Sequence, residues 1–360
     1  MTLPAMKMDD ATRKRLLEPP RGPVRVVVDT DTANEIDDQF ALAWVFTSLD
    51  RLHLEGVYAE PYSFGIYRDD LLKAARLRRE GATLPAHLAP FEGWLAGLES
   101  VGKTPEDVSF VEPHEGMERS YDEILHVMDL MGVDRRDLVR RGAPRYMSDA
   151  DDVVDSPAVD HLIERAMADD DRPLYVVAIG CPTNVASAIV KEPAIRDRIV
   201  VTWTSAYPTT TRIHNHSFNL DQDLPASKLL FDSGVPLVYL PGYHVGAQLR
   251  MSLPDVEAWV RGRGAIGDYL HHLYTHNPIH EQRGITGFVG RGWVIWDLIN
   301  IAWLLNPDWV PSRLMPTPRL GDDKLWSDRS DAWPMREAYE ISPDAVFRDF
   351  LAKLEAHAGG

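Results

Sequence analysis

"VVVDTDTANEIDDQFALAWVF", residues 26–46, decides the fold. Within "VRVVVDT" (24–30) it gives a near-continuous apolar run, as in parallel strands covered on both faces. "DDQFALAWVFTSL" (37–49) follows at helical spacing. Between them stand Asp29, Asp31, Asp37 and Asp38, with Glu35 beside them. Carboxylates crowded against an apolar strand repel one another and are costly without compensation. A helix N-terminus offsets only ~0.3–1 kcal/mol per charge. A cation is the natural remainder. Calcium takes 6–8 oxygen ligands and accepts carboxylates and carbonyls, whereas no Cys–His set accompanies the cluster to favour zinc. The plainer alternative is a capped helix with solvated acids.

Working outward, strand-like and helix-like runs alternate. "LHLEGVYA" (52–59) is the next strand and "RDDLLKAARLRRE" (68–80) the next helix. Residues 81–113 show no clear period and read as a long excursion or lid. Helices are expected over 116–132 and over 155–168, where Ser156 precedes Pro157 as a cap. The second half predicts strands at 173–180, 198–205, 235–242 and 336–341. It predicts helices from Pro182 to Pro193, at 224–234, 253–262, 265–277 and 293–307, and from Pro343 to about Leu354. The pattern implies an α/β fold, a mostly parallel, Rossmann-like open sheet with helices on both faces. With no clean linker, residues 24–360 are expected to form a single domain, preceded by a mobile or surface-wrapped arm over 1–23.

Composition excludes several classes. The chain of 360 residues has 44% hydrophobic and 26% charged residues and a formal charge of −17. Nucleic acid and anionic membrane surfaces should repel such a chain. One cysteine, Cys181, forbids an intramolecular disulfide, and no apolar run reaches the ~18 residues of a membrane span. With no signal-peptide core either, a cytoplasmic protein is expected.

Four ordered blocks then carry a resemblance. "DTDTANEIDD" (29–38) resembles the DxDxGxDD signature of the inosine-uridine preferring nucleoside hydrolase family, with two extra residues in the turn. "AIGCPTNVASAI" (178–189) is similar to its GPLTN segment. "FNLDQDLPASKLLFDSGVPLVYLP" (218–241) and "VIWDLINIAWLLNP" (294–307) resemble its later blocks, and details suggest a divergent bacterial branch. The resemblance implies a calcium-dependent N-glycosidase acting on a nucleoside or nucleoside-like riboside, as a homodimer or homotetramer. By position, Asp31, Asp38 and Asp297 would ligate calcium, with the backbone carbonyl of Thr183. Asp31 would also be the general base, Asp29 would support it, and Asp37 and Asn219 would hold ribose hydroxyls.

Several positions depart from the pattern. The turn glycine is absent, and "AEPYSFG" (59–65) stands where a ribose-contacting Asn belongs, with Phe64 the closest candidate. Ser217 replaces the acidic residue that would bind the ribose 5′-hydroxyl, with Arg212, His214 and His216 nearby; an altered or anionic 5′ substituent is one consequence. Trp296 replaces a His before the late Asp and can stack on a base but cannot protonate it. A leaving-group acid would then come from elsewhere. His272, His276 and His280 are spaced four apart, fitting either a transition-metal face or a substrate-facing lid with one useful His; His244 follows a strand end. Phe288, Trp293, Trp303 and Trp309 read as mostly core, with one or two of the late aromatics expected to line the pocket. Against a hydrolase stand two alternatives: hydrolysis of a modified or 5′-substituted ribosyl compound, and a calcium-containing sugar or nucleoside binder without turnover.

Overall fold

The computed structural model describes residues 3–4, 8–286 and 292–359. Its centre is an eight-stranded sheet. The strands are β1 Val24–Thr30, β2 Leu52–Ala59, β3 Val139–Arg141, β4 Leu174–Ala178, β5 Ile199–Ser205, β6 Leu237–Pro241, β7 Ser312–Pro316 and β8 Pro334–Ala338. They lie in the order β3-β2-β1-β4-β5-β6-β8-β7. All neighbouring pairs are parallel except β8 with the edge strand β7. The sequence moves outward from β1 to β3, then returns to the other side of β1 as β4. The strand order therefore reverses between β1 and β4, and crevices for ligands form at such points.

Alternation along β1 sorts its side chains. Val26 and Val28 join one core with the helices Asp37–Phe46 and Leu298–Leu305, and Val27 joins the other with Pro157–Ala166 and Thr183–Lys191. Every residue of β1, β4, β5 and β6 is buried, which is why these strands read as unbroken apolar runs. Among the described residues, no helix is long and apolar enough to cross a membrane.

One expectation is corrected, for 293–307, and two segments read only coarsely from sequence gain detail. Residues 81–113 contain the helix Phe91–Ser100, whose buried Phe91, Trp94, Leu95 and Leu98 follow the helical period that surrounding prolines and glycines obscured. These residues form a third core with Leu71, Leu88 and Ile279, each side chain worth about 1.5–3 kcal/mol when fully buried. The segment 293–307 is not one helix. Gly292–Val294 pairs with Arg250–Ser252, a turn follows at Trp296 and Asp297, and only Leu298–Leu305 is helical. Within 1–23, the helix Asp10–Leu16 is capped by Asp9, and Leu17 is buried against the sheet-side core, its carbonyl accepting from Arg336 Nε.

Candidate active site

The loop after β1 and the N-termini of two helices meet at the reversal point. Asp37 and Asp38 open the helix Asp37–Phe46, and Asp297 sits at the N-cap of Leu298–Leu305. Neither helix has a side-chain cap bond, and backbone N–H groups at these ends, including those of Trp296 and Asp38, bond the Asp37 carboxylate. Oxygens of Asp37, Asp38 and Asp297 lie within 4.8 Å of one another, and all three residues are buried. The resemblance implied Asp31 in this trio; the geometry puts Asp37 there, with Asp31 on the wall of the same cavity. Thr30 Oγ1 donates to Asp38 Oδ1.

Asp31 is held from several sides. Gln222 Nε2 donates to its Oδ2 at 3.1 Å, while Gln222 Oε1 accepts from Ser63 N at 3.0 Å and from the Tyr146 hydroxyl at 2.8 Å. A Cβ on Gly180 would stand 3.0 Å from Asp31 Cγ, so glycine at that position lets the end of β4 close on the carboxyl. Asp31 Oδ1 is buried with no hydrogen-bond partner. Burial pushes the Asp31 carboxyl up to about 7 and Asp37 to about 6. Asp38 and Asp297 rise well above the ordinary range, from burial first and then from neighbouring carboxylates. An all-oxygen, acid-rich donor set with an orphaned buried oxygen fits a hard divalent cation.

The cavity has a volume of about 570 Å³. Of the residues singled out from sequence, Asp31, Asp37, Asp38, Asp297, Phe64, Ser217, Asn219 and Trp296 line it. Asn219 Nδ2 donates to the carbonyls of Ile179 and Thr204, joining the ends of β4 and β5. Ser217 Oγ lies 2.8 Å from Ser205 Oγ. Trp296 packs edge-on to Tyr243 at 5.8 Å, and Phe64 stacks on Phe218 at 4.0 Å.

The structure does not bring the remaining candidates to the cavity wall. Asp29 shares the strand face of Val27 and points away from Asp38. It accepts from Asn184 Nδ2 at 2.9 Å and pairs with Glu60, and burial raises it to about 6. Thr183 opens its helix and donates from Oγ1 to Asp223 Oδ2 at 2.7 Å. His276 is exposed and stacks on His272 at 4.4 Å. Asn277 then caps a new helix, Pro278–Arg283, so His280 is carried off the expected face and packs edge-on to Trp293 at 4.5 Å. His244 packs edge-on to Tyr207. Arg212 is paired with Asp328 outside the cavity, whereas His216 lines it. Phe288 lies outside the described residues.

Sequence reasoning missed Tyr67, Phe91, Trp94 and Arg283, which line the cavity together with Glu35 and Trp293. Glu35 accepts from Trp293 Nε1 at 2.6 Å. Glu35 was legible inside the opening motif and Trp293 among the late aromatics, whereas Arg283 offered no local signal. Glu60 was missed because it follows β2 as a lone acid. It accepts from Asn184 N at 2.9 Å, and burial beside Asp29 pushes it well up.

Comparison with known proteins agrees with this arrangement. The solved purine-preferring ribonucleoside hydrolase from Gardnerella vaginalis superposes over 93% of this chain and 99% of its own, with a TM-score of 0.62 and 16% identity. The inosine-uridine preferring nucleoside hydrolase from Bacillus anthracis superposes over 92% and 99%, with a TM-score of 0.56 and 15% identity. At such identities the likeness shows the fold alone. The pyrimidine-specific ribonucleoside hydrolase RihB of Escherichia coli is 31% identical over 163 residues, which are 44% of this chain and 50% of that relative. The match thus spans only half the length of the relative. The family model of inosine-uridine preferring nucleoside hydrolase matches residues 26–329, which takes in the acidic loop, the cavity and six of the eight strands whole. The chain belongs to the inosine-uridine preferring nucleoside hydrolase family.

Proposed function

We propose that the chain hydrolyses the N-glycosidic bond of a ribonucleoside or nucleoside-like riboside, releasing the base and the ribose moiety, with calcium as its metal. The observation that carries this reading is Asp31: a buried carboxyl raised to about 7, one oxygen held by Gln222 and the other unpartnered, on a cavity wall with three further carboxylates. The name of the E. coli relative, a ribonucleoside hydrolase, supports a ribonucleoside substrate.

Asp38 and Asp297 would hold the ion, with Asp31 by resemblance or Asp37 by proximity, and the Thr183 carbonyl behind them. When bound, calcium supplies charge that fixes vicinal ribose hydroxyls and acidifies a water. Asp31 takes the proton of the attacking water, as a base poised near neutral pH should. The C1′–N bond breaks through an oxocarbenium-like state, whose positive charge the surrounding carboxylates stabilise. Asn219 and whichever of Asp31 and Asp37 is not committed to the ion orient the sugar, and Trp296 and Phe64 offer faces to the base. The helix Phe91–Ser100, within the 81–113 excursion, forms a lid beside them. A cytoplasmic homodimer or homotetramer completes the reading, and light scattering on the purified protein checks its mass.

A reducing-sugar assay over a panel of nucleosides tests the activity; release of ribose from none of them, with calcium present, overturns it. A 5′-substituted riboside has specific support as a second reading, because Ser217, bonded to Ser205, and His216 line the wall where an acid was expected. Matched 5′-hydroxyl and 5′-phosphate substrates decide it: equal or worse turnover of the phosphate sinks it.

A further inference from the structure

The cavity carries a cation that the reading above does not use. Arg283 closes the helix Pro278–Arg283 and lines the same cavity as the acidic cluster. Its guanidinium lies 5.1 Å from the Trp94 ring centroid and 5.8 Å from that of Phe64. Its charge also acts on Glu35, Tyr67 and Tyr243, three groups from separate parts of the wall. Yet among the described residues the side chain makes no hydrogen bond or salt bridge, and its Nε is buried without a partner. A buried donor left unmet costs about 1–3 kcal/mol, so the fold keeps these donors for something that enters the cavity.

The surrounding backbone is built to hold the arginine there. A Cβ on Gly97 would fall 2.1 Å from the Arg283 carbonyl oxygen, and Gly284, at φ +66°, meets the Gly97 carbonyl in return. Trp94 Nε1 donates to the Gln282 carbonyl at 3.2 Å. The helix Phe91–Ser100 and the end of Pro278–Arg283 are thus docked backbone to backbone, with the guanidinium over two aromatic faces.

We infer that Arg283 is a catalytic residue for the departing base, holding the negative charge that the base acquires as the glycosidic bond breaks. The inference rests on the glycosidase reading. Trp296 stands where an imidazole acid would protonate the base, and its indole N–H cannot do so. The electron pair of the C1′–N bond goes to the ring nitrogen and spreads to acceptor atoms of the base, where the forked N–H donors of Arg283 receive it. Water oxygen bonds to C1′, its proton passes to Asp31 and from there to solvent, and the departing base takes up one proton from solvent, so the products are ribose and neutral base and Asp31 is restored. The ring sits between aromatic faces that hold it in the plane of the guanidinium.

The test compares a poor and a good leaving group. Uridine and 4-nitrophenyl riboside are assayed with the wild type, Arg283→Met and Arg283→Lys. Loss of one charge-stabilising group should lower kcat/KM for uridine about 100-fold in Arg283→Met. Hydrolysis of 4-nitrophenyl riboside, whose phenolate needs little help, should fall less than about tenfold. Added guanidinium ion should restore part of the uridine activity, and Arg283→Lys should lie between wild type and Met. Equal losses on both substrates, or no loss on either, overturn the inference while leaving the glycosidase reading standing. If another nucleoside of the panel is turned over better than uridine, it takes uridine's place; a wild type that hydrolyses no member of the panel overturns both.

Discussion

The acidic floor of the cavity and the part of its wall around Arg283 are built on opposite principles. The floor gathers Asp31, Asp37, Asp38 and Asp297 at strand ends and helix N-termini, all buried, all with carboxyls raised by that burial. The wall sets one guanidinium against aromatic rings and leaves its donors open. Like charges without counterions make the floor an electrostatic liability that only protons or a cation relieve. The wall carries the smaller cost of one buried unmet donor and keeps its unspent charge for the substrate. One region is shaped for a metal and a developing cation, the other for a planar group and a developing anion, which is the charge separation that glycosidic cleavage produces.

The largest effect expected in this comparison is on the floor. Asp31→Ala should retain the far-UV spectrum and melting profile while turnover falls about 10³-fold; wild-type turnover would remove Asp31 from the role of base. Next comes pH. Asp31, Asp37 and Asp29 are raised from the ordinary carboxylate range near 4 to about 7, 6 and 6 in the metal-free chain. The folded state therefore binds more protons than the unfolded state between about pH 4 and 7. The contribution of these carboxyls to stability is full below about pH 4 and is lost as pH rises through these values. Denaturant melts in a chelator at pH 5 and pH 8 check the sign; greater stability at pH 8 contradicts the buried cluster.

Calcium should reverse that trend. At 100 times its dissociation constant it should stabilise the fold by about 2.7 kcal/mol. Asp297→Asn should abolish the gain and, by removing one of the crowded acids, make the chelated protein more stable than the chelated wild type. A calcium-dependent melting shift that survives in Asp297→Asn would move the ion elsewhere. The smallest effect belongs to the wall. Gly97→Ala forces the helix Phe91–Ser100 off the Arg283 backbone, at a cost of about 1 kcal/mol or more. Its activity loss should be confined to substrates with poor leaving groups, whereas a uniform loss would mean that the wall only shapes the cavity.

Legibility in the sequence follows the same division. The floor was readable because its acids sit in one short motif, with Asp297 placed by the resemblance. What the motif could not tell was that Asp29 and Thr30 leave β1 on opposite faces, one toward Asn184 and one toward Asp38. The equal spacing of His272, His276 and His280 promised a shared face that a new helix start at Asn277 and Pro278 removed. The wall was unreadable because no local pattern requires Arg283, and the period of Phe91, Trp94, Leu95 and Leu98 was hidden among helix breakers.

By itself, the sequence determined a parallel α/β sheet, the strand that ends in carboxylates and the family to which the chain is similar. These properties depend on local periodicity and on residues close together along the chain. The tertiary structure decided that Asp37 joins Asp38 and Asp297, that Gln222 holds Asp31, and that Arg283 lines the same cavity. Those relations depend on which strand lies beside which and on helices docking through two glycines. Distances between parts of the chain separated by up to 260 residues are set by packing, which no local pattern encodes.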